Sequence, residues 1–385
     1  MRVLRIAHSS LTPALRDRER ALARSYPNVD LEVLTTERWR EAEVDVEAEG
    51  DDLFPVTPAR TYFSKHIQLF AYDPRPIIKA LRSHRPHVID MNHEPYSVAC
   101  AEVLSLCKRF APQAQIVMQT AQNIFRRYPP PFNWMEQRAF RRVAAAYVCS
   151  ETVTEVLRAK GFEKPVPIIP FGVNTAAFSP SSPRADGNGP LTIGFAGRML
   201  PGKGLNLLAE ALINTREENW KLLVVGDGPE RENFSRTLAE AGLLERVEFT
   251  GAISYDLVPA YFHQMDALVI PTQTTSRIRE QFGRVIVEAM ASGVPVIGST
   301  CGAIPEVISD AGIVFPEGDA AALADALRKT LADRNLRERL ARAGRTRVEQ
   351  NYSWETVAEK TYKLFEQVTR TSREAALNPS FGLAA

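Results

Sequence analysis

Short apolar runs alternate with helical patterns along the chain. In the first half the runs are VLRIAHSS, LEVLTT, HVIDMNH, AQIVMQTA, AAYVCS and VPIIPFGVN. In the second they are LTIGFAG, KLLVVGDG, VEFTG, ALVIPT, VPVIGST and GIVFP. Such runs, rich in β-branched residues and set between helices, predict parallel sheets joined by right-handed crossovers. Most end in Gly, Ser, Asn, His or Asp, which puts polar loops at the strands' carboxyl ends, where open α/β sheets bind ligands. The stretch SPSSPRADGNGP, residues 179–190, has no apolar pattern and reads as a linker. The pattern predicts an α/β protein of two Rossmann-like, doubly wound domains facing across a cleft. Their limits are 1–178 and 191–353, with the linker at 179–190 and a final segment at 354–385. In that segment YSWETVAEKTYKLFEQV carries apolar residues at helical spacing, and TSREAALNPSFGLAA reads as a weakly ordered tail.

Composition narrows the function classes. A chain of 385 residues exceeds what one core usually holds. Its net charge of +1 gives no overall field to recruit nucleic acid, so any basic surface must be local. Cys100, Cys107, Cys149 and Cys301 show no metal-ligand spacing and read as reduced core thiols of a cytosolic protein. The opening MRVLRIAHSS is already strand-like, with no secretory apolar region before it. No apolar run approaches the roughly 18 residues of a membrane span. The expectation is a soluble, cytoplasmic protein that meets membranes only at their surface.

Candidate chemistry begins at GRMLPGKG, residues 197–204. It is one residue short of the triphosphate loop G-x-x-x-x-G-K-[ST], because Gly204 stands where a magnesium-holding hydroxyl belongs. A dinucleotide site fares no better: VVGDGPER has G-x-G, but Arg231 replaces the third glycine. What remains is a strand, a glycine turn with Arg198 and Lys203, and a helix beginning near Leu205. Charge and helix dipole together suit that turn to anionic oxygens, though a solvated basic turn would look the same.

A second stretch, REQFGRVIVEAMASGVPVIGSTCGAIPEVI (279–308), holds Glu280 and Glu288 with seven residues between them. Gly283 precedes a helix that is apolar on nearly every side, hence buried. A carboxylate inside it needs a strong partner, either internal or from a ligand.

These two motifs, in this order, resemble glycosyltransferase family 4, which has the two-domain GT-B fold. GRMLPGKG is similar to that family's G-R-x-x-x-x-K-G loop, and EQFGRVIVEAMASGVPVI to its glutamate–seven–glutamate signature. The likeness is close from Ile193 to about Phe315 and looser in IIPFGVNTAAF and YSWETVAEKTYKLF. It implies a nucleotide-sugar donor site. Arg198 and Lys203, beside Gly197, would hold the diphosphate. Glu280 would grip donor-sugar hydroxyls and Glu288 the ribose hydroxyls, with backbone amides around Phe282, Gly283 and Arg284 completing the cradle. The resemblance further implies retention of anomeric configuration, no metal and no cofactor beyond the donor substrate. It also implies that the helix from Trp354 crosses back onto the first domain.

Acceptor-side candidates lie in loops of the first half: His8 with Ser9, then Asn92, His93 and Glu94, then Asn123 in QTAQNIFRRYPPPF. For His93 and Glu94 a surface helix cap is the competing reading. The first loop lacks the family's frequent glycine pair, and residues 119–123 carry Gln and Asn where many members have a cleft histidine. Arg126, Arg127, Arg138, Arg141 and Arg142 accompany Phe125, Tyr128, Phe132 and Trp134. That patch could meet an anionic membrane or a lipid-diphosphate acceptor, or be a solvated helical face. The favoured reading is hexose transfer from a UDP- or GDP-sugar to a hydroxyl of a glycan, glycolipid or small molecule, as in polysaccharide biosynthesis. An epimerase or phosphorylase on the same fold, or a nucleotide-sugar-binding protein without turnover, are the alternatives.

Overall fold

The computed structural model describes residues 1–41, 44–181 and 189–377. Most of the expected linker, residues 182–188, and the end of the expected tail, residues 378–385, lie outside them. The chain divides into two compact units, Met1–Pro170 with the segment from Trp354, and Phe171–Ser353. The second unit thus begins at Phe171, eight residues before the limit set by the polar linker. The reason is local: Phe171 packs on Phe282 and the backbone at Val173 bridges to Ser353, both in the second unit.

In the first unit six parallel strands lie side by side as Ala145–Tyr147, Gln115–Gln119, Val88–Asn92, Arg2–Ala7, Asp30–Thr36 and Val56–Ala59. The second unit repeats the arrangement with Val247–Gly251, Trp220–Val225, Leu191–Ala196, Ala267–Ile270, Val296–Ser299 and Ile313–Phe315. Both sheets start in the middle, build outward on one side and then jump to the other. The jump leaves a crevice at the carboxyl ends of the first and fourth strands, where doubly wound sheets take ligands. In the first unit that point lies after Ala7 and Asn92, which are register partners. In the second it lies after Ala196 and Ile270.

The central strands are buried on both faces, which is why they read as continuous apolar runs. Two departures from the sequence reading have one cause. VPIIPFGVN is no strand of the sheet; it makes only isolated bridges, Ile168 to Val148 and Val173 to Ser353. Val56–Ala59, unremarked in the sequence, is the edge strand beside Asp30–Thr36. Proline cannot donate to a ladder, so Pro165, Pro167 and Pro170 break up the first segment. Pro58 is tolerated in the second because it lies on an edge.

Helices Pro74–Ser83, Val98–Phe110 and Phe132–Arg142 pack in succession as a layer of the first unit. Asp73 and Ser97 cap the first two, accepting from the amides of Arg75 and Cys100. The helix Trp354–Leu377 packs on Asp17–Ser25, and Tyr362 stacks on Tyr26 at 3.9 Å. It is longer than the sequence pattern suggests. Thr371–Leu377, read as weakly ordered tail, continue it, since no proline or glycine intervenes before Pro379.

Candidate functional site

The second unit's switch point gathers the motif residues. Leu191–Ala196 leads into the turn at Gly197, and Gly204 (φ 75°) caps helix Leu205–Asn214. A Cβ on Gly204 would lie 1.8 Å from the carbonyl oxygen of Pro271, so the helix start is pressed against the fourth strand's end. That close approach, rather than a lost hydroxyl, accounts for the glycine. The turn is held by its backbone: Met199 N donates to Asp227 O at 2.9 Å, and Gln273 N to Gly202 O at 2.8 Å. Arg198 is exposed; its carbonyl accepts from Leu200 N at 2.9 Å, while its guanidinium has no hydrogen-bond or ion-pair partner among the described residues. Lys203 is half-buried, and its Nζ lies 2.7 Å from Glu280 Oε2.

Glu280 and Glu288 flank the start of helix Arg284–Ala291, which Gly283 (φ 77°) caps. The ring of Phe282 is buried between Phe171 and Tyr352, each centroid 5.6 Å away, which anchors the loop before the helix. Glu288 is 6% exposed. Burial pushes its carboxyl above the usual range, opposed by Arg284 and by a hydrogen bond from Tyr255. The Tyr255 hydroxyl donates to Glu288 Oε1 at 2.8 Å and accepts from Arg284 Nη2 at 3.2 Å. The same guanidinium stands 5.6 Å from the Tyr255 ring and 3.7 Å from Glu288 Oε1. The buried carboxylate therefore has an internal partner on one oxygen. Tyr255 carries no motif; its only sequence signal is its place in the loop after strand Val247–Gly251. Chemically the region offers two cations, two helix N-termini and a preoriented carboxylate, a set suited to a diphosphate joined to a diol.

In the first unit the acceptor-side candidates separate into two groups. His8 and His93 stack with centroids 5.6 Å apart, within a cluster of Trp39, Phe70 and Tyr72. His93 Nε2 pairs with the Tyr72 hydroxyl at 3.2 Å, and Nδ1 of both histidines is buried without a hydrogen bond. Asn92 Nδ2 donates to Ser9 Oγ at 3.3 Å. Glu94 faces elsewhere, accepting from Thr120 Oγ1 at 2.5 Å and Ala121 N at 3.0 Å. The helix cap is Ser97, whose hydroxyl donates to Glu94 O. The surface-cap reading thus gives way to a buried His93 and a half-buried Glu94 that braces the chain after the strand Gln115–Gln119. Asn123 is buried as well.

The histidine pair gives a pH prediction. Burial holds His8 down to about 4, aided by the charge of Arg5, and holds His93 well below the ordinary imidazole value. Between that ordinary value of about 6.5 and about 4 the unfolded chain binds more protons, so stability falls as pH drops through this window and then levels. For His8 alone the fall is on the order of 3 kcal/mol. Urea unfolding should show that His8→Asn flattens the slope of stability against pH. An unchanged slope would show that His8 is neutral for no energetic reason.

Among the described residues no three His, Cys, Asp or Glu side chains group as metal ligands. No described helix is long and apolar enough to cross a membrane.

Residues 182–347 match the family Glycosyl transferases group 1, and residues 17–177 match Glycosyltransferase Family 4. The phosphatidyl-myo-inositol mannosyltransferase of Mycobacterium leprae is 37% identical over 207 residues, 52% of this chain and 53% of that protein. The GDP-mannose-dependent alpha-(1-6)-phosphatidylinositol monomannoside mannosyltransferase of Mycobacterium tuberculosis is 32% identical over 228 residues, 56% of this chain and 59% of that protein. The chain spans between half and three-fifths of the length of these relatives. Among solved structures, Anabaena HepE in complex with UDP superposes with a TM-score of 0.74 at 16% identity, covering 95% of this chain and all of that one. Sucrose-phosphate synthase from Thermosynechococcus elongatus gives 0.69 at 20%, covering 96% of this chain and all of that one. At such identities the likeness speaks for the fold, while the two family matches run along both halves of the sequence. The chain belongs to the glycosyltransferases of family 4, group 1, with the GT-B fold of two Rossmann-like domains.

Proposed function

We propose that the protein transfers a hexose from a UDP- or GDP-sugar to a hydroxyl of a glycan, glycolipid or small-molecule acceptor, retaining configuration and needing no metal. The observation that carries this reading is the setting of Glu288. It is a buried carboxylate with one oxygen engaged by Tyr255, one turn into the helix whose first residues follow the loop that carries Glu280, the partner of Lys203. Its second oxygen would accept from ribose hydroxyls. Arg198 and Lys203 would take the diphosphate, Lys203 exchanging Glu280 for a phosphate oxygen and freeing that carboxylate for the sugar.

In the transfer, the acceptor oxygen bonds to the anomeric carbon as the bond from that carbon to the phosphate oxygen breaks. The acceptor's proton passes to the departing phosphate. The two cations and the amides at Gly283 and Arg284 stabilise the charge that grows there. The naming of a mannosyl relative as GDP-mannose-dependent supports a GDP-sugar among the possible donors.

A thermal-shift panel tests the donor site. GDP or UDP is expected to stabilise without magnesium, by about 2.7 kcal/mol at 100 times its dissociation constant. Glu288→Gln should weaken nucleoside-diphosphate binding by roughly ten- to a hundredfold, since hydrogen bonds to a charged acceptor contribute about 1.5–3 kcal/mol. A larger, magnesium-dependent ATP shift would restore the triphosphate-loop reading. Unchanged nucleotide affinity in Glu288→Gln would remove the ribose assignment. Donor turnover without any acceptor would point instead to an epimerase.

A further inference from the structure

The chain is nearly neutral, yet its charge is unevenly placed. Residues 60–142 carry thirteen of its 47 Lys and Arg and only five of its 46 Asp and Glu. Twelve of those cations are exposed, Arg142 being the half-buried one, whereas none of the five carboxylates is. Each carboxylate is engaged: Asp73 with Arg75, Asp90 with Arg5 and Arg18, Glu94 with Thr120, Glu102 with the amide of Tyr72, and Glu136 with Lys160. The helix layer Pro74–Ser83, Val98–Phe110 and Phe132–Arg142 therefore presents cations to solvent with no exposed carboxylate to offset them.

The same stretch exposes apolar side chains. Tyr62, Phe63, Ile67, Leu69, Phe125 and Trp134 all stand in solvent, with Phe63 78%, Trp134 65% and Ile67 50% exposed. Tyr62 ends the short strand Thr61–Tyr62, and Phe63, Ile67 and Leu69 follow it in the loop before the strand Ala71–Tyr72. This loop is built rather than loose. His66 N donates to Phe63 O, Leu69 N to His66 O, and Val98 N to Gln68 O at 3.0 Å, which ties it to the start of the middle helix. Phe63 takes φ 59°, a conformation that costs a bulky residue energy. Phe70 is buried while its neighbours Ile67 and Leu69 face outward with Lys65 between them and Phe63.

We propose that this basic–aromatic face, led by the loop Tyr62–Leu69, docks on an anionic lipid bilayer. Phe63, Ile67 and Trp134 enter the interface, and Lys65, Arg75, Lys79, Arg82, Arg126 and Arg127 meet the headgroups. Cations alone would suit any polyanion. Exposed aliphatic and aromatic tips among them suit a surface with an apolar interior beneath the charge. The patch at Arg126–Arg142, left open between a membrane contact and a solvated face in the sequence, is one part of it; the loop and the helix Pro74–Ser83 are the larger part. The inference does not depend on the donor chemistry.

Cosedimentation of the full chain with vesicles tests it. Binding is expected to vesicles of phosphatidylcholine and phosphatidylglycerol in about a two-to-one ratio, to weaken as salt rises, and to be absent with phosphatidylcholine alone. Phe63→Asp/Ile67→Asp and, separately, Lys79→Glu/Arg82→Glu should each lower the apparent affinity at least about tenfold, since each interfacial cation or apolar anchor contributes on that order. Both variants change exposed side chains, and their unfolding midpoints should match the parent. Equal partitioning to neutral and anionic vesicles would overturn the proposal, as would failure to bind either. It would also fall if heparin bound as well as the vesicles and the Phe63→Asp/Ile67→Asp variant kept full binding, which would mark a site for a soluble polyanion.

Discussion

Lys203→Ala is expected to lower kcat by about 10²–10³-fold while changing the KM for donor far less, the usual effect of removing one preorganised charge from a developing anion. The ammonium sits 2.7 Å from Glu280 at a helix start, so in the resting protein its charge is already partly answered. Binding a diphosphate only exchanges one anionic partner for another. As the sugar–phosphate bond breaks, the phosphate gains charge that Glu280 cannot match, and the interaction strengthens where the barrier lies. Steady-state kinetics with a nucleotide-sugar should show the split between kcat and KM. Lys203→Ala also leaves Glu280, 15% exposed, without this cation, so a stability loss could masquerade as a catalytic one. The double variant Lys203→Ala/Glu280→Gln separates the two: it should recover stability and stay slow. A double variant with restored turnover would show that Lys203 serves only to satisfy Glu280.

Much of this site could be read from the sequence because its parts are local. The turn at 197–204 and the helix start at 283–284 each lie within a few residues, and the glycines that shape them are visible as letters. What joins them is not local. The Lys203–Glu280 contact spans 77 residues, and Tyr255 reaches Glu288 across 33, with no periodicity to announce it. The same division holds for the fold. Strands buried on both faces gave unbroken apolar runs, whereas the edge strand Val56–Ala59 was hidden by Pro58 and the edge-running segment at 165–170 imitated a strand until its prolines were weighed. In the first unit His8 and His93 were visible as residues after strands, but their stacking depends on Ala7 and Asn92 sharing a register. The loop Tyr62–Leu69 escaped notice because exposure of an apolar residue is a property of packing, not of its letter.

Deleting the chain from Trp354 is expected to abolish cooperative folding of the first unit. The helix that begins there is its last element and a wall of its core. Val357, Leu364, Phe365 and Val368 are buried against a cluster that includes Val3, Leu22, Val29, Leu31, Val33 and Val117. Burying such side chains contributes about 1.5–3 kcal/mol each, so four of them amount to roughly 6–12 kcal/mol. That is comparable with the whole net stability of a typical domain, about 5–15 kcal/mol. The loss is compounded on the facing side, where Leu22 of helix Asp17–Ser25 and Tyr26 just after it would meet water. A chain ending at Leu377 keeps all of these contacts, together with the bond from Gln115 Nε2 to Ser372 Oγ at 2.9 Å, and should unfold at the parent's midpoint. Circular dichroism melts of the two truncations give the comparison. A cooperative transition in the Trp354 deletion near the parent's temperature would mean that the first unit's core closes without its last helix.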